Sequence, residues 1–357
     1  MTPTFDKVHN KFKLNAITYG YHDLTDIGYS LVKEGEPYSK VLGRFLLDWM
    51  DEKDHIIVMT SGSTGRPKPI KIKKQAMVNS AIATGDFFNL KPGDKALMCL
   101  PADYIAGKMM LIRGLILGLE LDVVQPSLNP EINTNKVYDF CAMLPAQLCN
   151  SIAAIDNFKT IIVGGAAISN ELLDKIQLAK PKIFETYGMT ESITHIAARP
   201  INRSAGGENF NNAIFKCLPN IEISQNEADC LQIEASHLFD GCITTNDIVK
   251  LHSKTEFEWL GRIDNVINSA GIKLHPEQIE QKLSSHISQR FFVSSEVDDA
   301  IGEKLILVIE GDSNQIDKNA FQDLSKYETP KQVYAIPAFK ETESGKIKRK
   351  ETIKLLK

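Results

Sequence analysis

The first half of the chain carries short, unbroken apolar runs at 56–59, 96–100, 121–124, 140–144, 160–163 and 182–186. Continuous apolarity, rather than strict alternation, marks strands covered on both faces. Between them lie helical patterns. Tyr38, Val41, Leu42, Phe45, Leu46 and Trp49 form a stripe at helical spacing that should dock on the sheet. Residues 105–117 and 169–178 read as further helices, the first of them buried. Strands alternating with helices predict a largely parallel sheet with helices on both faces and ligands at the carboxyl ends of its strands. Beyond Ala197 the runs shorten and alternate, as in Ile221-x-Ile223, Leu231-x-Ile233 and Phe257-x-Trp259-Leu260, which predicts an antiparallel, barrel-like subdomain. Pro276 opens an acidic helix, and after it strands at 290–297, 305–310 and 332–336, with helices at 316–324 and the carboxyl end, form a small α+β unit. The expected division is a large domain over 1–262 and a small one over 263–357.

Composition narrows the partners. The 357 residues are 43% hydrophobic, enough for two cores, and 41 basic against 45 acidic side chains give a net charge of −4. That balance argues against general affinity for nucleic acid or anionic membrane, so small molecules are the expected partners. The stretch 109–124 is interrupted by Arg113, Glu120 and Asp122 and is too short and too charged for a membrane span, and residues 1–21 lack the apolar core of a signal peptide. Six cysteines without a Cys-x-x-Cys pair, mostly in strand-like runs, are expected to be free buried thiols in a reducing cytoplasm.

The chemistry concentrates at the expected strand ends. Thr60-Ser61-Gly62-Ser63-Thr64-Gly65-Arg66-Pro67-Lys68 follows the run 56–59. Gly62 and Gly65 let the backbone turn its N–H groups toward one anion, four hydroxyls add donors, and Lys68 adds a compact positive charge. That is a phosphate cradle suited to a triphosphate, and without a Gly-Lys-Ser/Thr closure it is not a Walker loop. Gly164-Gly165-Ala166 reads by itself first as a tight strand-to-helix turn and second as a surface that a flat ring can approach. In Tyr187-Gly188-Met189-Thr190-Glu191, the ring can stack on a base, Thr190 can donate to a phosphate, and Glu191 offers a hard oxygen for Mg²⁺.

The cradle sequence is the signature of the adenylate-forming superfamily, which includes acyl-CoA synthetases and peptide-synthetase adenylation domains, and this chain resembles it closely. Three later segments continue the resemblance: 187–191; Gly261-Arg262-Ile263-Asp264 with Gly271; and Gly345-Lys346-Ile347-Lys348-Arg349. The resemblance implies an α/β fold with a mostly parallel sheet, a small β subdomain and a mobile α+β carboxy-terminal domain. It also implies a shortened amino-terminal region, because relatives carry a longer subdomain before the cradle. ATP, Mg²⁺ and coenzyme A are the implied ligands. By resemblance, Gly164, Gly165, Ala166, Tyr187 and Gly188 line the adenine pocket, and Asp247 and Arg262 bind ribose. Thr190 and Glu191 serve phosphate and metal, Asp264 is the hinge, Gly271 lines the pantetheine channel, and Lys346 is the catalytic lysine. Asn246 stands where the family has Gly before that aspartate.

Arg113 interrupts an apolar helix, and a buried guanidinium needs an anionic partner. In the o-succinylbenzoate-CoA ligases of menaquinone synthesis an arginine at the corresponding place binds the second carboxylate. Arg113, the compact length and Thr194-His195-Ile196-Ala197 make the chain look most like that group. Arg113, His195 and Lys108 are therefore the candidate acid-binding residues, although His195 is as well explained as a satisfied pocket-wall histidine. Another aryl- or short-acyl-CoA ligase and a catalytically silent nucleotide-binding protein remain the alternatives. Oligomeric state is not set by the sequence.

Overall fold

The structure, a computed structural model, describes residues 3–59, 68–207, 210–312, 316, 318–341 and 347–356. A short hairpin, β1 (Lys13–Leu14) and β2 (Ile17–Thr18), leads into helices α1 (Asp23–Glu34) and α2 (Pro37–Met50). Proline at the first position of α2 presets its helical φ, and Leu42, Phe45, Leu46 and Trp49 bury the predicted stripe in the main apolar cluster. Next come β3 (His55–Met59), β4 (Pro69–Lys73) and α3 (Lys74–Phe88). The run 56–59 does not form a sheathed central strand. Among the described residues β3 pairs only with β4, in a two-stranded antiparallel sheet, and Ile57 and Met59 are 57% and 52% exposed. Only Ile56 and Val58 point inward, so an unbroken apolar run here serves a strand with one wet face. The buried Lys74 ammonium binds the carboxylate and carbonyl of Asp51 at 2.8 Å each, tying the hairpin's far end to α2.

The predicted alternation then appears as β5 (Lys95–Met98), α4 (Ile105–Leu117), β6 (Glu120–Val123), β7 (Tyr138–Met143), α5 (Pro145–Asn150), β8 (Phe158–Val163), α6 (Asn170–Ile176) and β9 (Lys182–Gly188). β6, β5, β7, β8 and β9 pair in parallel in that order. Strand order reverses between β5 and β7, the kind of crevice where open α/β sheets bind ligands. Helix α4 is apolar nearly all round and buried, as its sequence predicts, with Arg113 sealed inside it.

The antiparallel part is not a separate barrel. β10 (His195–Pro200) pairs with β9, and after the short helix α7 (Arg203–Gly206), strands β11 (Ile214–Cys217), β12 (Glu222–Gln225), β13 (Cys230–Glu234), β14 (Cys242–Leu251) and β15 (Glu256–Arg262) extend the same 13-stranded sheet of the described residues. The alternating pattern identified antiparallel strands correctly, but β10 adds directly to the edge of β9 just before it, so these strands continue the large sheet. A second sheet holds β16 (Ile267–Ser269), β17 (Ile272–Leu274), β18 (Phe291–Asp298), β19 (Gly302–Glu310) and β20 (Gln332–Ile336), with α8 (Pro276–Leu283) and α9 (Arg349–Ile353) packed nearby. Of the helix expected at 316–324, the described residues contain a single 3₁₀ turn at Lys318–Phe321, which is all that so short a stretch sustains when only Ala320 is buried. All six cysteines are free, but Cys149 and Cys242 are exposed. No helix of the described residues is long and apolar enough to cross a membrane.

Candidate active site

Two polar clusters are joined by the turn between β9 and β10. The first is built on Asp247 in mid-β14. Its Oδ2 accepts the Tyr187 hydroxyl at 2.6 Å, its Oδ1 accepts the Trp259 indole N–H at 3.2 Å, and Arg262 Nε lies 3.5 Å away. Cross-strand pairing of Asp247 with Arg262 sets this geometry. Burial and the Asp247 charge push the Tyr187 phenol well above its ordinary range, so it stays a donor. The Tyr187 ring meets Phe257 and Phe215 edge-on at 5.2 and 5.9 Å. Thus Tyr187, Asp247 and Arg262 lie together. Tyr187 and Gly188 belong to β9 rather than following it, because pairing with β10 prolongs the strand. Asn246 likewise sits in the extended strand, and its side-chain amide reaches Asp264 Oδ2 at 3.5 Å, so no glycine turn is present there.

The second cluster is centred on Arg113, only 1% exposed. Its Nη2 lies 3.4 Å from both Thr194 Oγ1 and His195 Nδ1, and Nη1 lies 3.6 Å from Met110 Sδ. Among the described residues no carboxylate pairs with it, and neither Arg113 Nε nor His195 Nε2 has a partner. Burial alone pulls the guanidinium down to about 9, and burial together with Arg113 holds His195 well below its ordinary pKa. His195 is therefore neutral near pH 7. Since Arg113 can only donate, Nδ1 accepts and the ring proton rests on Nε2. Phe88 from α3 closes one wall, 6.3 Å from the imidazole and 5.2 Å from Phe184. Sequence reasoning identified Arg113 and His195, quoted Thr194 without giving it a contact, and missed Phe88 and Trp259, whose roles arise from contacts across strands and helices that no local spacing announces.

Lys108 stands apart. Its ammonium binds the carbonyls of Ala102 and Asp103 and lies 5.1 Å from the Phe45 ring, and burial lowers its pKa. Gly164 and Gly165 follow β8, and a Cβ on Gly164 would lie 2.4 Å from Thr186 Oγ1. Ala166 and Glu191 are exposed, and Thr190 is half-buried. Gly271 (φ +79°) and Ala270 (φ +50°) make the two-residue turn joining β16 to β17, with open space around Gly271. Asp264 lies in the single turn Ile263–Asn265 between the two sheets. Lys68 is exposed just before β4, whereas Thr60, Ser61, Gly62, Ser63, Thr64, Gly65 and Lys346 lie outside the described residues. No group of three His, Cys, Asp or Glu side chains among the described residues could cage a metal.

The mixed α/β fold with its large sheet agrees with what comparison finds. A model of the AMP-binding enzyme family matches residues 47–225, half of the chain, and the chain belongs to that family. Among solved structures it is similar to the acyl-CoA synthetase (AMP-forming)/AMP-acid ligase II-like protein of Dyadobacter fermentans, with 33% identity, a TM-score of 0.62 and coverage of 93% of this chain and 98% of that one. Among curated proteins it is similar to the 2-succinylbenzoate–CoA ligase of Lactococcus lactis, 26% identical over 85% of this chain and 72% of the relative. The enzyme of the same name from Escherichia coli K12 is 23% identical over 90% and 74%. Wild-type E. coli MenE, solved with an analogue of OSB-AMS, shares the fold at a TM-score of 0.70 and 17% identity, covering 98% of this chain and 96% of that one.

Proposed function

We propose that the chain is an ATP-dependent ligase joining o-succinylbenzoate to coenzyme A through an acyl-adenylate, acting in menaquinone synthesis. The observation that carries this reading is Arg113: a sealed guanidinium with an unpartnered Nε, beside a neutral histidine with an unpartnered Nε2. Both groups ask for acceptors, and a second carboxylate with a neighbouring keto oxygen supplies them. A monocarboxylic acid leaves the guanidinium uncompensated.

In the proposed reaction an oxygen of the reacting carboxylate attacks the α-phosphorus of ATP. The bond from that phosphorus to the bridging oxygen breaks, and pyrophosphate leaves. The thiol of coenzyme A then loses its proton, attacks the acyl carbonyl and expels AMP. Thr60–Lys68 cradles the phosphates, Gly164–Ala166 and Tyr187–Gly188 hold the base, and Asp247 with Arg262 orients the ribose. Thr190 donates to phosphate, and Lys346 stabilises the charge that builds as pyrophosphate departs. Glu191 is exposed, takes no hydrogen bond or ion pair among the described residues, and suits Mg²⁺, which needs only one or two carboxylates when phosphates complete its shell. Bound there, Mg²⁺ would neutralise phosphate charge. Between half-reactions the small domain turns about Asp264, withdrawing Lys346 and bringing Gly271 to the channel. A panel of aryl acids scored by pyrophosphate release tests the reading. Succinylbenzoate should be preferred over benzoate by roughly tenfold or more in kcat/KM, the worth of one charge-assisted contact. Equal use of both acids would favour a general aryl-CoA ligase instead.

A further inference from the structure

The turn leading into the acid cluster holds a feature that none of the roles above uses. Ile193, 2% exposed and part of the main apolar cluster, has φ +72° and ψ −55°. The Thr194 N–H donates to the Ser192 carbonyl at 2.8 Å, closing a γ-turn of the φ-positive kind, which is rare and strained, the more so for a β-branched residue. Such a conformation persists only where its surroundings over-determine it. They do here. The Ser192 hydroxyl, fully buried, lies 3.0 and 2.9 Å from the carbonyl oxygens of Met189 and Thr194, one of which takes its single proton, and it accepts the Met189 N–H at 3.2 Å. One step later the β9–β10 register shifts between His195 and Ala197, a bulge that re-aims side chains. Across from it, a Cβ on Gly188 would sit 2.3 Å from the Thr194 carbonyl oxygen and 2.4 Å from His195 Cα, so the chains cross as closely as backbones can.

We propose that Ile193 is a positioning residue: its strained turn, clamped by Ser192 and driven home by the burial of its own side chain, presets Thr194 and His195 against Arg113 for recognition of the acid. The inference rests on Arg113 as the acid-recognising group. Glycine at 193 adopts positive φ freely and gives up the apolar anchor, so the turn relaxes and the donors lose their fixed spacing. Valine keeps both the branching and most of the anchor.

The test is steady-state kinetics with succinylbenzoate, ATP and coenzyme A on Ile193→Gly, Ile193→Val, Ser192→Ala and Arg113→Leu. For Ile193→Gly we expect the KM for the acid to rise about tenfold while the KM for ATP stays within about twofold, with Ile193→Val close to the parent protein on both. Ser192→Ala, which loses only the clamp, should shift in the same direction, and it decides the matter if the glycine variant does not fold. Values for acid and ATP that rise together, or an acid KM that stays put while Arg113→Leu raises it, would overturn the positioning role alone. An acid KM unmoved by Arg113→Leu would overturn the reading on which the role depends.

Discussion

Removing the buried guanidinium should make the free protein more stable and less able to use its acid. A fully buried arginine whose pKa falls from 12.5 to about 9 costs on the order of 5 kcal/mol to keep charged, at ~1.4 kcal/mol per pH unit. Its contacts to Thr194, His195 and Met110, at 3.4 to 3.6 Å, are long and return little of this. Arg113→Met retains much of the volume and has no charge to desolvate, so urea unfolding at pH 7.5 should show a gain of about 1–3 kcal/mol, the range seen when buried ionic groups give way to apolar ones. The same variant should raise the KM for a dicarboxylic aryl acid roughly ten- to a hundredfold, the worth of a charge-assisted hydrogen bond. A variant destabilised by more than about 2 kcal/mol would mean that the guanidinium is satisfied in the free protein, and the reasoning would fail.

Tyr187→Phe deletes the 2.6 Å donor to the buried Asp247 and should cost about 1.5–3 kcal/mol in urea unfolding; a change below a few tenths would remove Tyr187 from the Asp247 network. Glu280, lifted from 4.5 to about 7 chiefly by burial despite Arg349 at 2.8 Å, holds a proton in the folded protein that the unfolded chain releases, so its contribution to stability is present below pH 4.5 and fades as pH rises through about 7. Glu280→Gln should flatten that slope in unfolding experiments between pH 4.5 and 7, and an unchanged slope would assign it to other groups. Lys346→Ala should abolish acyl-adenylate formation, followed by acid-dependent ATP–pyrophosphate exchange, while supplied acyl-adenylate still yields thioester. Equal loss in both half-reactions would contradict a role confined to the first.

What the sequence made legible follows the range of the physics involved. The parallel core could be read because each buried strand is a local run and each helix a local period: α4 spans the residues expected of it, and α6 begins at its Ser169 cap. β3 was misjudged for the same reason, since Ile56-Ile57-Val58-Met59 has one apolarity whether one face or both is covered, and only the partner strand decides. The joining of β10 to β9 was likewise invisible, being a choice of partner rather than of conformation. In the site, Arg113 stood out as a charge in an apolar helix, and Asp247 only through the resemblance. Trp259 and the turn at Ile193 did not, because a tryptophan on a strand and an isoleucine between polar residues carry no mark of the hydrogen bond or the backbone angle they adopt.

The central claim is met most directly by a single-turnover experiment: enzyme in excess over labelled succinylbenzoate, with ATP and Mg²⁺ and without coenzyme A. The account predicts release of one pyrophosphate per acid, with the label held as acyl-adenylate until coenzyme A converts it to thioester and frees AMP. Pyrophosphate release that ignores the acid, or label that reaches thioester without passing through adenylate, would contradict it.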